Sequence, residues 1–158
     1  MSVEESMLEL ESEPPGSVPE PMSHLEALGV ATHRRIAPGL CGGVTHREEG
    51  AATVLLSTTA EMGADDQGLV HGGFVFGAAD YAAMVAVNDP NVVLGAAETR
   101  FVAPVRVGDT VVCSARVEVQ KGRKHLVQVV CAVDGKTVME GAFTTFVLDR
   151  HVLEPAGT

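Results

Sequence analysis

One apolar stretch, residues 72–87 with the sequence GGFVFGAADYAAMVAV, constrains the fold of this chain most strongly. Its apolar residues would cover every side of a helix rather than one stripe, which predicts a helix that is buried all round. Asp80 is the exception. An isolated buried carboxylate is costly, so it is normally paired, neutralised by a pKa shift or retained for function. Asp80 is therefore the first candidate functional residue, and the alternative is a carboxylate that only bonds a neighbouring loop.

His71, Gly72 and Gly73 stand at the predicted start of this helix. The first N–H groups of a helix lack internal partners and carry a partial positive charge, so they favour an incoming oxygen. A polarising helix end together with a lone carboxylate suggests acyl chemistry. The alternative for the two glycines is that they permit close packing of helix on sheet.

Length and charge limit the class of protein. A chain of 158 residues predicts one domain with a proper core. The 11 Lys and Arg against 21 Asp and Glu give a formal net charge of -10, which disfavours nucleic acids and anionic membrane surfaces as partners. We expect no export signal and no membrane span. Three widely spaced cysteines predict reduced thiols that fill the core, in a cytoplasmic protein.

Composition divides the chain into three parts. Residues 1–21 are acidic and rich in proline, which predicts a disordered tail. The domain is predicted to span residues 22–150, with a short helix capped by Ser23 at its start and a C-terminal tail over residues 151–158. We assign no catalytic role to residues 1–29.

Period-two alternation predicts the strands. A weak first strand, interrupted by Pro and Gly, precedes a strand over residues 51–59, and four strands follow the helix. Asp134-Gly135 is a two-residue hairpin signal between the last two. We predict that these four strands form an antiparallel meander. The resulting α+β layout is a sheet of five or six strands that curls around the helix, with a second subunit completing the enclosure.

Two motifs make the chain resemble a known family. GLVHGG at residues 68–73 is followed by Asp80, and FVAPVRVGD occupies residues 101–109. This combination resembles the hotdog-fold acyl-CoA thioesterases, in the branch that contains the phenylacetate-pathway thioesterase and human thioesterase superfamily member 2. The resemblance extends over roughly residues 25–148, nearly all of the chain that is predicted to be ordered.

The resemblance implies a curved antiparallel sheet around a central helix, a dimer with two sites at its interface, and hydrolysis of a CoA thioester. Carried onto this chain, the Gly72 N–H would polarise the thioester carbonyl and Asp80 would be nucleophile or general base. His71 is a candidate for direct catalysis or for orienting the helix start. No metal or other cofactor is expected, because CoA enters as part of the substrate.

Helix geometry independently favours a dimer. Asp80 lies eight residues beyond Gly72, so the two are about 12 Å apart along the helix axis. They cannot flank one thioester carbon within one subunit. Two antiparallel helices across a two-fold axis would set each Asp80 near the partner's Gly72, so we expect a homodimer, or two such dimers in a tetramer.

The substrate-binding candidates come partly from the resemblance. Relatives often carry Asn six positions before the His, where this chain has Asp65, and an ionised carboxylate would repel an oxyanion. Asp65 is then protonated, turned away or acting on water, and Gln67 is a candidate for the missing amide. Gly73 adds a second N–H. Thr99 shares a strand face with Phe101, and either points toward the site or fills the core.

Basic and apolar side chains complete the predicted site. A basic cluster at a predicted hairpin, with Arg106 as a further cation, would meet the phosphates of CoA, and the alternative is a solvated turn. The cluster consists of Lys121, Arg123, Lys124 and His125. Four helix residues are candidates for a tunnel that selects the acyl group, or are plain core: Phe74, Phe76, Tyr81 and Met84.

A non-catalytic acyl-CoA sensor is the second hypothesis. The chain is also similar to the malonyl-CoA-responsive regulator of bacterial lipid synthesis, which has a related strand junction but Asn in place of the helix acid. That regulator carries a DNA-binding helix-turn-helix, which the acidic residues 1–21 cannot supply. Asp80 therefore favours the enzyme. A hotdog dehydratase is a third reading, which would need a His and an acid in other positions.

Overall fold

A computed structural model describes residues 18–155 of the chain. These residues form three α-helices, α1 (Met22–Ala27), α2 (Pro38–Cys41) and α3 (Gly72–Val87), and a short 3₁₀ helix spans Ala60–Met62. The six strands in the same range are β1 (Gly43–Glu48), β2 (Ala51–Ser57), β3 (Val92–Phe101), β4 (Thr110–Lys121), β5 (Lys124–Val133) and β6 (Lys136–Val147). The predicted disordered tail, except its last four residues, and the last three residues of the chain lie outside this range.

Helix α3 has the bounds that its apolar sequence predicts. It begins after His71, the N-cap residue, and ends at Asn88, which adopts the left-handed conformation at φ 57° that terminates many helices. Nine of its sixteen residues are buried. It lies on the sheet, where alternate residues of β2, β4 and β5 face it with fully buried side chains, namely Val54, Leu56, Val111, Cys113, Val127 and Val129.

The strands form one antiparallel sheet in the order β1-β2-β4-β5-β6-β3. The Asp134-Gly135 hairpin is confirmed, since both residues have positive φ, 48° and 78°, between β5 and β6. A six-stranded antiparallel sheet with one long helix against it confirms the predicted α+β hotdog fold. Strands β1 and β3 are the two edges.

The predicted meander of four consecutive strands is wrong for β3, its first strand. Strand β3 pairs with β6, while β4 pairs with β2 and β5. The segment from Val102 to Asp109 is no hairpin, because it is tied to the loop before α3: the Val70 N–H donates to Val105 O at 2.8 Å and the Val107 N–H donates to Gly68 O at 2.8 Å. The chain therefore leaves the β3 edge and enters β4 in the middle of the sheet.

The N-terminal segment covers part of α3, which the sequence did not predict. Glu20 belongs to the segment predicted to be disordered, yet it is only 7 % exposed. Its carboxylate accepts hydrogen bonds from the Val44 N–H at 2.8 Å and from the Tyr81 hydroxyl at 3.2 Å. The ordered fold thus begins before residue 22. Pro21 rather than Ser23 occupies the N-cap position of α1.

The three cysteines are free thiols. Cys113 and Cys131 are fully buried and face each other across β4 and β5, with their sulfur atoms 2.9 Å apart. Cys41 is partly buried. Within residues 18–155, no helix has the length and apolar character needed to cross a membrane.

Candidate active site

Asp80 lies in the middle of α3 and is partly buried. Its Oδ1 atom is buried, and no residue among 18–155 forms a hydrogen bond with it. Burial raises the pKa of this carboxyl above its ordinary value, and the charge of His33 opposes that rise. A carboxylate with a raised pKa and a free lone pair is suited to accept a proton or to attack an electrophile.

Two residues that precede β1 contact the helix of Asp80 or affect its carboxyl. The Cys41 sulfur is 3.4 Å from the point where a Cβ atom on Gly77 would stand, one helical turn before Asp80. Burial and the charge of Asp80 raise the pKa of the Cys41 thiol. His33 is partly buried and has a positive φ of 49°. Neither residue was predicted to lie at the site, since neither belongs to a motif or an apolar period.

The start of α3 lies on an apolar groove. Within the described part of the chain, the N–H groups of Gly72 and Gly73 have no hydrogen-bond acceptor, as expected for the first turn of a helix. A Cβ atom on Gly72 would stand 3.2 Å from the Phe101 ring, so glycine permits this close approach. The groove has a volume of about 370 Å³. It is lined by Gly72 and by apolar residues that include Leu69, Val75, Phe101, Val102 and Pro104.

His71 points its side chain outward at this helix start. The residue is exposed, and its imidazole forms no capping hydrogen bond. The ring lies edge-on to Phe74 with the ring centres 6.2 Å apart, and a Cβ atom on Gly73 would meet it at 3.1 Å. The His71 backbone N–H donates to Met62 O at 2.9 Å. The backbone of His71, rather than its imidazole, therefore ties the loop to the helix.

The loop before α3 brings three predicted site residues together. Asp65, Gln67 and Arg106 line one pocket of about 240 Å³, which shares Leu69 and Pro104 with the groove beside Gly72. Asp65 Oδ1 accepts the Gln67 N–H at 2.9 Å and the Leu69 N–H at 3.2 Å. Asp65 is therefore a carboxylate whose Oδ1 accepts hydrogen bonds from the backbone of its own turn.

Thr99 occupies the face of β3 that its alternation predicts. It pairs with Gly141 on β6, two positions from the pair formed by Phe101 and Met139, so it shares the face of Phe101. Its side chain is partly buried. A Cβ atom on Gly141 would stand 2.7 Å from Thr99 Cγ2, so glycine gives this side chain its space.

The basic cluster is separated from Arg106 within one subunit. Lys121, Arg123 and Lys124 are exposed at the β4–β5 hairpin, and Arg123 forms an ion pair with Asp149. Arg106 precedes the start of β4, and the 12 residues of this strand span about 40 Å. The structure therefore places these cations at opposite ends of one strand and does not bring them together.

The four apolar candidates for an acyl tunnel belong largely to the core. Tyr81 and Met84 are 2 % and 0 % exposed. Phe76 packs on Phe143 with the ring centres 5.5 Å apart. Burial, followed by the nearby Glu20, raises the pKa of Tyr81. These residues therefore belong to the core, which was the simpler of the two alternatives that the sequence left open.

Similarity to known proteins indicates the class of this chain. Residues 67–139 match the family model of the thioesterase superfamily, and this segment runs from the loop before α3 into β6. Over these residues the chain is similar to the thioesterase superfamily, and its fold is the hotdog fold that the resemblance implied.

Two solved structures illustrate the similarity. Protein PH1136 from Pyrococcus horikoshii is 48% identical with a TM-score of 0.79, over 79% of this chain and 96% of that one. The E. coli PaaI protein from the phenylacetic acid degradation operon is 26% identical with a TM-score of 0.62, over 78% of this chain and 87% of that one.

The curated relatives are longer proteins. A methylthioribose-1-phosphate isomerase from Aquifex aeolicus is 50% identical over 123 residues, which are 77% of this chain but 27% of that protein. The transcription factor FapR from Caldanaerobacter subterraneus is 31% identical over 86 residues, which are 54% of this chain and 43% of that protein. Because the chain spans less than half of either relative, neither name by itself assigns an activity to it.

Proposed function

We propose that this protein is an acyl-CoA thioesterase that hydrolyses a CoA thioester to the free acid and CoA. The observation that carries the proposal is the Asp80 carboxylate, partly buried on the central helix with Oδ1 free of any hydrogen bond within the described residues. The unbonded N–H groups at the start of the same helix supply the complementary polarising element. Three free thiols fit a cytoplasmic location.

The proposed reaction needs only water and protein groups. The thioester oxygen accepts the Gly72 N–H, which stabilises the negative charge that develops on that oxygen. Asp80 either removes a proton from a water molecule that attacks the carbonyl carbon, or attacks the carbon itself and forms an anhydride that water opens. In both routes the C–S bond breaks, and the CoA sulfur leaves as thiolate and takes up a proton.

We infer that the site is shared between two subunits. Gly72 and Asp80 lie on one helix about 12 Å apart along its axis, too far to act on the same carbon. Edge strand β3 offers a pairing surface. The backbone of its ten residues is hydrogen-bonded to a neighbouring strand, β6, on one side only, and Phe101 is 55 % exposed. Pairing of two β3 edges would set the α3 helices antiparallel, as a homodimer or within a tetramer.

The same antiparallel dimer would give the basic side chains a role in binding CoA. The β4–β5 hairpin lines a pocket with Asn88, at the C-terminal end of α3. In an antiparallel pair of helices this end lies on the side of the partner's Gly72. We propose that Lys121, Arg123 and Lys124 approach a bound CoA from one subunit, while Arg106, Gln67 and the groove hold it from the other.

Thiol release from a panel of acyl-CoAs tests the proposal. Short-chain, long-chain and aryl esters are offered to the wild type, to Asp80→Asn and to Asp66→Asn. Asp66 is exposed in the loop before α3, so its variant controls for the loss of one negative charge. We expect turnover by the wild type and the control only. Absence of turnover by the wild type on every ester would contradict the enzyme.

A non-catalytic acyl-CoA sensor is the second candidate function. The named transcription factor among the relatives, at 31% identity over 54% of this chain, is the observation that favours it. Binding of CoA esters without thiol release would support the sensor. Equal affinity of the wild type and Asp80→Asn for the ester, with no hydrolysis by either, would assign the site to binding alone.

A further inference from the structure

We propose that Thr58 is a positioning residue for Arg106, the cation of the pocket that adjoins the groove beside Gly72. This inference rests on the proposed function and deepens it, because it concerns the part of the site that would hold the phosphates of CoA. Thr58 belongs to neither of the two family motifs, and it is only 7 % exposed. It acts through the backbone of the turn that carries Arg106.

Residues 106–109 form a tight turn whose two ends are bonded to each other. The Asp109 N–H donates to Arg106 O at 2.9 Å, and Asp109 Oδ2 accepts the Arg106 N–H at 2.8 Å. Gly108, in the third position of the turn, has a φ of 97°, which glycine adopts without strain. Asp109 therefore holds both backbone polar groups of Arg106.

The Thr58 hydroxyl fixes this turn to the sheet. Its oxygen accepts the Gly108 N–H at 3.0 Å and donates to Asp109 O at 2.6 Å, with Arg106 O as a second acceptor at 3.1 Å. The Thr58 N–H also donates to Asp109 O at 3.0 Å. Thr58 directly follows β2, whose last residue pairs with the first residue of β4. One buried side chain thus anchors the turn to two inner strands of the sheet.

The turn in its place also supports the loop before α3. Residues 68–70 and 105–107 form a short antiparallel ribbon, which is joined by two backbone hydrogen bonds of 2.8 Å, and Leu69 lies opposite Arg106. Residues of this ribbon line both the groove beside Gly72 and the pocket that contains Arg106. Because Thr58 anchors one end of the ribbon, its hydroxyl fixes a wall that the two cavities share.

Arg106 is suited to hold an anion because its guanidinium is free. Among residues 18–155 it forms no ion pair, whereas the guanidinium of Arg123 is paired with Asp149. The backbone of Arg106 is already ordered, so only its side chain loses freedom when a phosphate binds. A loosened turn would add to that loss. The contribution of Thr58 should therefore appear in the affinity for CoA.

Two substitutions at residue 58 separate the hydroxyl from the rest of the side chain. Thr58→Val keeps the branched shape and removes the hydroxyl, whereas Thr58→Ser keeps the hydroxyl. Thr53→Val is the control, because it makes the same change on β2 at a hydroxyl without a hydrogen bond among the described residues. Arg106→Gln removes the cation, and a double variant combines it with Thr58→Val.

Binding of CoA itself, which carries the phosphates but no thioester, is measured by calorimetry. We expect Thr58→Val to weaken binding roughly two- to tenfold, as for the loss of one hydrogen bond, and Thr58→Ser and Thr53→Val to bind like the wild type. In the background of Arg106→Gln, Thr58→Val should have no further effect, because the two residues act through one contact. Additive losses, or wild-type affinity in Thr58→Val, would overturn the proposal.

Amide hydrogen exchange gives a second readout that needs no ligand. We expect Thr58→Val to speed the exchange of the Val107 and Asp109 N–H groups and to leave exchange in β5 unchanged. Unchanged exchange at the turn, or faster exchange throughout the sheet, would overturn the positioning role. Failure of the wild type to bind CoA would instead count against the proposed function. Faster exchange confined to the turn would then still support the hold of Thr58 on Arg106.

Discussion

At the scale of single residues, Asp80 is a group that the fold tolerates at a cost. Its surroundings on α3 are apolar, its Oδ1 atom has no partner within the described range, and burial raises the pKa of its carboxyl. Nothing in the packing of the helix requires a charge at this position. A partly buried carboxylate that opposes stability on an otherwise apolar helix is typical of an active site.

Removal of this charge should therefore stabilise the protein. A carboxyl whose pKa is higher in the folded than in the unfolded state favours folding when protonated, and this contribution disappears as the pH rises through the folded pKa. At pH 7 the wild type has lost it, whereas Asp80→Asn is neutral at every pH. We expect Asp80→Asn to be more stable by roughly 0.5–1 kcal/mol at pH 7, with a smaller difference at pH 4.

Urea unfolding at the two pH values, at one fixed protein concentration, measures this difference. Asp66→Asn serves as the control for net charge, since Asp66 is exposed. A variant Asp80→Asn that unfolds more easily than the wild type at pH 7 would show that the carboxylate is a structural group.

At the scale of elements, the start of α3 combines two properties of glycine. Gly72 has an N–H without an acceptor among the described residues, and its missing Cβ makes room for the Phe101 ring. These properties are separable, because Gly72 is the first residue of the helix, where proline is tolerated. The extended backbone of His71, with φ −64° and ψ 127°, also suits a residue that precedes proline.

Gly72→Pro and Gly72→Ala form a matched pair. Both add a Cβ atom beside Phe101, but only proline removes the N–H. We expect Gly72→Pro to lower kcat by roughly 100-fold, as for the loss of one donor to an oxyanion, and Gly72→Ala to lose much less. Steady-state kinetics with circular dichroism as a folding check measures this. Equal losses in the two variants would attribute the effect to the crowded Phe101 ring.

The loop before α3 depends on the turn formed by Asp65. Its Oδ1 accepts two backbone N–H groups, from Gln67 and Leu69. We expect Asp65→Ala to lower the free energy of unfolding by about 1 kcal/mol, while Asp65→Asn keeps an acceptor and loses little. Thermal unfolding of the two variants checks this. A fully stable Asp65→Ala would show that the hydrogen bonds from Val70 and Val107 hold the loop without the turn.

Sequence patterns predicted the helices and strands better than they predicted which strands pair. The apolar run, interrupted only by Asp80, predicted the bounds of α3, and Asp134-Gly135 predicted a hairpin, since both signals are local. The position of β3 beside β6 was not predictable in this way. Alternation along a strand shows which face is buried, but it carries no information about which strand lies beside it.

At the scale of the whole molecule, two features lie outside the sequence motifs: the segment that precedes β1 and the unpaired edge of β3. Glu20 and Cys41 contact α3 over long distances in sequence, so no spacing rule could identify them. Asp80, Gly72 and the groove residues could be proposed because they belong to recognisable motifs. The proposal that two subunits share the site rests on one element, a helix on which Gly72 and Asp80 lie eight residues apart.

Complementation between inactive subunits tests this central claim most directly. In a heterodimer of Asp80→Asn and Gly72→Pro, a shared site combines the intact Asp80 of one subunit with the intact Gly72 of the other. Equal amounts of the two variants are unfolded together and refolded, and thiol release is compared with that of each variant alone. Random pairing predicts about a quarter of the wild-type activity, because half of the dimers then contain one intact site of two. Activity no higher than the mean of the two separate variants, with mixed dimers verified by mass spectrometry, would contradict a site shared between subunits.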